Sequence, residues 1–202
     1  LPELPIDSFK HRRGRVLIIG GDHGMGGAAI MAAEAAMRSG AGLVTVVTQP
    51  EHQPALLARL PEAMFMSADS VALGEAISAA DFVVIGPGLG RGEWGNNLFA
   101  QTATRTAPML VDADGLYWLT NSDHQPAARS LFITPHAGEA ASLLSTSTAL
   151  IEADRIQAAK SLVTTYKCHA LLKGPGSVVI AGTNVHICAH GGPAMATAGM
   201  GD

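Results

Sequence analysis

Apolar and polar positions along this chain alternate between two rhythms. Short unbroken apolar runs end on glycine or polar clusters, and between them apolar residues recur at every third or fourth position. The run at 15–19, closed by Gly20 and Gly21, fits a strand buried on both faces. Similar runs at 43–48, 82–85, 109–111, 131–133 and 170–172 predict further strands. Helical spacing predicts helices over 28–39, from Pro50 onward, and over 71–79, 94–104, 138–144 and 152–166. In the last of these, Ile156, Leu162, Val163 and Tyr166 mark one face. Gly40 suits a C-terminal cap and Pro50 a first helical turn. Residues 64–68 fit neither rhythm. Further on, 178–181 and 185–188 flank Gly182-Thr183-Asn184 and predict a β-hairpin.

Strands alternating with helices predict an α/β layered domain with a mostly parallel sheet and right-handed crossovers. The hairpin would supply an antiparallel edge. In sheets of this kind ligands bind beyond the C-terminal ends of the strands. Five strands run out into glycine or polar clusters, at 20–27, 86–90, 112–114, 134–139 and 173–177. That rim is where the active site is expected.

Composition narrows the picture. A length of 202 residues corresponds to one domain, and 48% apolar residues supply a core and exclude general disorder. Aromatic residues are only 4%, with glycine and alanine abundant, which favours helices packed closely on a sheet over a β-sandwich. A net charge of −4 and a pI near 6.0 leave no electrostatic footprint for nucleic acid or an anionic membrane. The one basic cluster, Lys10-His11-Arg12-Arg13 with Arg15, reads as a solvated arm. No apolar run approaches the roughly 20 residues of a membrane helix, and no signal-peptide pattern opens the chain. Cys168 and Cys188 have neither metal-ligand nor disulfide-framework spacing; lying in or beside apolar runs, both are expected to be buried, reduced thiols of a cytoplasmic protein. The chain starts on Leu1 and stops inside a motif, so a fragment of a longer polypeptide is expected, with 1–14 as a lead-in arm and 15–202 as a domain truncated at its C-terminal end.

Each rim cluster has a chemical and a plain structural reading. Residues 20–27 lie between a strand and a helix, where glycines let backbone N–H groups face a phosphate; they lack a full G-x-G-x-x-G or P-loop pattern and also fit a tight turn. Gly86-Pro87-Gly88-Leu89-Gly90 allows close approach of a ligand to backbone, or simply turns the chain. Asp112 and Asp114 suit ribose hydroxyls or a hydrated Mg²⁺, and Asp114 equally suits a helix N-cap. Thr134-Pro135-His136-Ala137-Gly138-Glu139 places a histidine and a glutamate at a strand-to-helix turn. Lys173-Gly174-Pro175-Gly176-Ser177 sets a cation beside flexible backbone and a hydroxyl, which suits a nucleotide or a turn leading into the hairpin. The stretch 191–202 gathers small residues and glycines and then a carboxylate, Asp202. Backbone donors for phosphate charge beside a carboxylate that takes a hydroxyl proton make a phosphoryl-transfer arrangement; a flexible Gly/Ala tail is the other reading.

Taken in order, these motifs and Ala198-Gly199-Met200-Gly201-Asp202 resemble the ADP/ATP-dependent NAD(P)H-hydrate dehydratase family, a branch of the ribokinase-like fold, over nearly the whole chain from Arg15. The resemblance implies an α/β/α ribokinase-like layered domain and a nicotinamide-nucleotide repair lyase. Its substrate would be the S form of hydrated NADH or NADPH (NADHX or NADPHX). A nucleotide, ADP in bacterial members and ATP in eukaryotic ones, would phosphorylate the ring hydroxyl, and elimination would restore the dihydronicotinamide, giving AMP and phosphate from ADP. Mg²⁺ would accompany the nucleotide, with Glu139 helping to order it. By the same resemblance, Ala28, Gly88, His136 and Asp202 would contact the hydrated dinucleotide. Lys173, Gly174, Pro175, Gly176, Ser177 and Gly201 would hold the adenine nucleotide, with Asp202 as the catalytic base. A symmetric homo-oligomer is implied, and fusion to an amino-terminal NAD(P)HX epimerase domain is known in the family.

Several positions depart from the family pattern: the lead-in 9–14, the loop Met25-Gly26-Gly27-Ala28-Ala29, Ser177 where threonine is common, and Met200 where a small or hydroxyl residue is usual. The helix that normally follows Asp202 is not in this sequence, and without it the expectation is little or no activity. A small-molecule kinase of the same fold and a non-catalytic nucleotide-binding module are the alternatives; the Thr134–Glu139 and Asp112–Asp114 motifs favour the dehydratase.

Overall fold

In the computed structural model, which describes residues 13–190 and residue 199, the chain begins β1 (Arg15–Ile19), α1 (Gly26–Arg38), β2 (Leu43–Val47), α2 (Gln53–Arg59), β3 (Met64–Met66) and α3 (Leu73–Ala79). It continues through β4 (Phe82–Ile85), α4 (Glu93–Ala103), β5 (Met109–Val111), α5 (Asp114–Asn121), β6 (Leu131–Ile133) and α6 (Ala137–Leu143). Then come α7 (Thr148–Ala153), α8 (Arg155–Tyr166), β7 (His169–Leu172), β8 (Val178–Ala181) and β9 (Asn184–Ile187). The strands form one nine-stranded sheet in the order β3-β2-β1-β4-β5-β6-β7-β8-β9. Neighbours from β3 to β7 pair in parallel, while β8 pairs antiparallel with both β7 and β9. The α/β class, the parallel sheet and the hairpin edge are as the sequence predicts.

Strand alternation sorts the apolar side chains onto two faces. Leu17, Ile19, Val83, Ile85, Met109, Val111, Ile133 and Leu172 pack on one face with residues of α3, α4, α5, α6 and α8. On the other, Ile18, Val44 and Val46 meet Ala29, Ala32 and Ala33 of α1 and Leu56 of α2. Small alanines let α1 approach the sheet closely, which is what the glycine- and alanine-rich composition foreshadows. The second face is covered unevenly. Leu110, Phe132, Leu171 and Val179, on β5 to β8, are half-buried and belong to neither buried cluster.

Four local expectations need correction. A helix, α5, follows directly on Asp112-Ala113; Ala113 takes a left-handed φ of 47°, and Asp114 is the helix's first residue, not its cap. The helix predicted over 152–166 is two helices, because Asp154 leaves helical geometry (φ −146°, ψ 85°) and its carboxylate accepts from Gln157 N to start α8. Pro50 opens a single 3-10 turn, Pro50–His52, ahead of α2. Cys188 is exposed, whereas Cys168 is buried, and burial pushes its thiol pKa up to about 12. Among the described residues no helix is long and apolar enough to cross a membrane.

Candidate active site

The loops after β1 and β4 interlock through backbone alone. Gly21 N donates to Pro87 O at 2.9 Å and Asp22 N to Gly88 O at 2.6 Å. The closeness excludes side chains: a Cβ on Gly20 would overlap the Pro87 carbonyl oxygen, and one on Gly86, whose φ is +128°, would overlap the Asp112 carbonyl oxygen. The β1 loop leads into α1, whose N-cap Met25 offers no side-chain acceptor and whose first turn carries no acidic residue. Open space surrounds the position of a Cβ on Gly27. An uncapped helix N-terminus of this kind presents donors and a positive dipole end to an anion. Ala28, in the same turn, lies beside Gly88: a Cβ on Gly88 would sit 3.5 Å from the Ala28 methyl.

A polar network behind this corner gives no sign of itself in the sequence. Thr48, 1% exposed, donates from Oγ1 to Gly21 O at 2.7 Å and lies 3.0 Å from His52 Nδ1. Glu51 accepts from Gly24 N at 3.3 Å and meets His23 Nδ1 at 3.1 Å; that histidine holds its carboxyl below the usual glutamate range. Asp22 Oδ1 accepts from His23 N and Gln49 Nε2, each at 2.9 Å. These are ordinary polar residues after a strand, and only the fold shows that they fix the β1 loop.

The two aspartates divide their work. Asp114 accepts from Gly90 N and from Arg91 Nε, both at 3.0 Å, while Trp118 Nε1 donates to Gly90 O at 2.9 Å. It is therefore a clamp on the Gly86–Gly90 turn. Asp112 is 3% exposed and faces the Lys173 ammonium, with Nζ donating to Oδ1 at 2.7 Å. Lys173 N also donates to Pro135 O at 2.8 Å, and His136 and Lys173 form an isolated parallel bridge. His136 is the N-cap of α6: its Nδ1 accepts from Gly138 N at 3.0 Å and Glu139 N at 3.2 Å, which assigns the ring proton to Nε2. Glu139 closes the capping box by accepting from His136 N at 2.8 Å. One oxygen of its carboxylate is thus committed to the cap, and the other lies 3.4 Å from His136 Nε2.

The turn after β7 is shaped from both sides. Ser177 Oγ donates to Gly174 O at 3.1 Å and accepts from Gly174 N at 3.3 Å, and Pro175 and Gly176 lie exposed between them. From α8, Arg155 donates to Leu172 O at 3.2 Å and Lys173 O at 3.1 Å while pairing with Glu152. Helical spacing marked α8 as an amphipathic surface helix; the guanidinium bracing the lysine turn had no sequence signal.

The structure therefore joins the β1, β4, β5, β6 and β7 loops in one continuous contact path, Gly21 to Pro87, Gly86 to Asp112, Asp112 to Lys173, and Lys173 to Pro135 and His136. Gly201 and Asp202 lie outside the described residues. Gly199, in the same motif, stands against α1, where a Cβ would come 2.7 Å from Met31 Sδ. Among the described residues no group of three or more histidine, cysteine, aspartate or glutamate side chains could hold a metal ion.

Comparison with known proteins gives a consistent answer. A family model described as NAD(P)H-hydrate dehydratase matches residues 16–202. A bifunctional NAD(P)H-hydrate repair enzyme of Coxiella burnetii is 44% identical over 206 residues, spanning 100% of this chain and 41% of that protein. An ADP-dependent (S)-NAD(P)H-hydrate dehydratase of Listeria monocytogenes is 37% identical over 207 residues, spanning 100% of this chain and 72% of its own length. The crystal structure of an ADP/ATP-dependent NAD(P)H-hydrate dehydratase from Bacillus subtilis, co-crystallised with ATP and Mg²⁺, superimposes with a TM-score of 0.83 at 26% identity, covering 98% of this chain and 72% of that one. The chain thus spans about two fifths of its bifunctional relative and most of the single-function one. Family model, curated relatives and fold agree, and this chain belongs to the NAD(P)H-hydrate dehydratase family.

Proposed function

We propose that residues 15–202 form the dehydratase unit of a nicotinamide-nucleotide repair enzyme, which converts the S form of hydrated NADH or NADPH to the reduced dinucleotide with ADP as phosphoryl donor. The observation that carries this reading is the unbroken path from Gly21 to His136, which sets an uncapped helix N-terminus, a glycine turn and a lysine along one lip of the sheet. The preference for ADP is supported by the name of the Listeria relative, and ATP is the nucleotide in the Bacillus crystal. Mg²⁺ enters on the nucleotide phosphates, a reading supported by the lack, among the described residues, of a group of three or more side chains that could hold it.

In this reading Ala28, Gly88 and the His136 Nε2–H border the hydrated dinucleotide, and Lys173 with the turn Gly174 to Ser177 and Gly201 holds the adenine nucleotide. Asp202 takes the proton of the ring hydroxyl as its oxygen attacks the terminal phosphorus of ADP, and AMP leaves with the bridging oxygen. The ring then expels phosphate and loses the proton from the adjacent carbon, which restores the double bond. Aligning two bound reactants supplies much of the acceleration. Fusion to an epimerase that interconverts the R and S hydrates fits the bifunctional relatives, and a symmetric homo-oligomer fits the fold.

In a protein that carries the helix expected after Asp202, hydrated NADH supplied with ADP should regain its dihydronicotinamide absorbance, and AMP and phosphate should appear in equal amounts. Asp202→Asn should still bind nucleotide while turnover collapses by a factor of 10² or more, on the order of a lost general base. Phosphorylation of an unrelated alcohol with no recovery of absorbance would overturn the dehydratase reading in favour of a kinase.

A further inference from the structure

A second charged feature lies at the other end of the strands. A cavity of about 580 Å³ opens where β1, β4, β5 and β6 begin, lined among others by Arg15, Ser78, Asp81, Arg105, Thr106 and Arg129. Strands of three to five residues separate it from the rim, roughly 10–15 Å at the usual rise per residue.

The three arginines are unequally provided for. Arg15 is matched: its backbone N donates to Asp81 Oδ2 at 2.8 Å and its Nε to the same oxygen at 3.2 Å. That pair holds the Asp81 carboxyl below the usual aspartate range. Arg105 donates to Ala80 O at the end of α3, but its buried Nε–H has no acceptor. Burial, and to a smaller extent the like charge of Arg15, hold the Arg105 guanidinium below its ordinary pKa against the pull of Asp81. The Arg129 side chain has no hydrogen-bond or ionic partner among the described residues; only its backbone N is engaged, by Thr106 O at 2.9 Å. The cavity therefore carries two guanidinium charges without a matching carboxylate, and one of them sits in a setting that disfavours its charge. The hydroxyls of Ser78 and Thr106 are exposed and free to join a ligand, with no partner among the described residues. Protein contacts account for Arg15 and part of Arg105; Arg129 is exposed beside them and open to a ligand from solvent.

We infer that this cavity is an oxyanion site for a phosphate-sized dianion, either free phosphate or the phosphate group of a small monoester. Guanidinium forks match phosphate geometry in bidentate fashion, and a dianion balances the two unmatched charges. The site is separate from the rim and does not depend on the proposed function.

Calorimetric titration with inorganic phosphate at fixed ionic strength tests it. Wild type should bind in the millimolar range or tighter, and Arg129→Gln should weaken binding about tenfold or more, the loss expected for one charge-assisted contact. Lys173→Met, which removes the cation of the rim, should leave this titration intact at a temperature where the variant is shown to be folded. The thermal midpoint of Arg129→Gln in chloride should equal that of wild type, because its exposed side chain makes no hydrogen bond or ion pair with the described residues, and phosphate should raise the wild-type midpoint more than the variant's. Glycerol phosphate binding more tightly than phosphate would support the site with a monoester as ligand; weaker binding would support it with free phosphate. Absence of millimolar binding, equal binding by Arg129→Gln, or loss of binding in folded Lys173→Met would each overturn the inference.

Discussion

Lys173→Met tests whether the ion pair at the centre of the rim holds the fold together as well as serving a ligand. Asp112 is 3% exposed, and Lys173 Nζ at 2.7 Å is the only side-chain partner of its carboxylate among the described residues. Coulomb attraction at that distance is about 6 kcal/mol at an effective dielectric near 20, but desolvation of both ions returns several kcal/mol each, so the pair contributes little net. Removing one member is different, because it strands the other as a buried charge, and breaking buried pairs costs about 3–5 kcal/mol. The Lys173 side chain keeps 24% of its surface in solvent, so water can reach the orphaned carboxylate and the cost should fall near the lower end, about 3 kcal/mol. Replacing both partners, as in Lys173→Met with Asp112→Leu, should cost less than Lys173→Met alone. Urea unfolding of wild type, both single variants and the double closes the cycle. Additivity within about 0.5 kcal/mol, or a double variant less stable than Lys173→Met, would refute the reasoning.

Two glycines should respond in opposite directions. Gly86→Ala drives a Cβ into the Asp112 carbonyl at a φ of +128° and should cost at least about 3 kcal/mol or abolish folding, whereas Gly27→Ala, in open space in the first turn of α1, should gain about 0.5–1 kcal/mol; thermal scans of the pair decide. Trp118→Phe removes the 2.9 Å hydrogen bond to Gly90 O and should destabilise by about 1–3 kcal/mol in urea, with a weakened grip on the Gly86–Gly90 turn. With a thiol reagent at pH 8, Cys188 should react in the native protein and Cys168, raised to about 12, only after unfolding; two fast thiols without denaturant would contradict the buried position. The folded-state pKa of Asp81 is depressed below 3.8, so its contribution to stability is complete above that value and is lost as pH falls through the lower folded one. Acid unfolding of Asp81→Asn should therefore show a shallower pH dependence than wild type.

What could be read from the sequence was what repeats. Apolar runs as regular as Phe82–Ile85 and Met109–Val111 specify strands almost alone, and the clusters at their ends mark the rim because parallel strands all finish on one side. Two kinds of information were hidden. Helix α5 is entered through a residue with positive φ, Ala113, where local propensity points to a loop and the interlocked Gly86 and Asp112 backbones impose the turn. Long-range pairing was the other: Asp112 finds Lys173 sixty-one positions away, and Arg155 braces Leu172 and Lys173 from a helix whose pattern shows only an amphipathic stripe. His136 shows the limit of motif reading most plainly, since its loop position marks it as available while half of its imidazole is already spent on capping α6.

The interlocked loops at the β1 and β4 corner bear on how such a protein can change. Where a wall is made of main-chain amides and carbonyls, and where Gly20 and Gly86 exclude any side chain, point substitution has nothing to trim, lengthen or recharge. Altered ligand preference must then arise at the margin, from residues such as Met25, His23 and Arg91 that stand exposed beside the corner. The centre can be lost by mutation far more easily than it can be retuned.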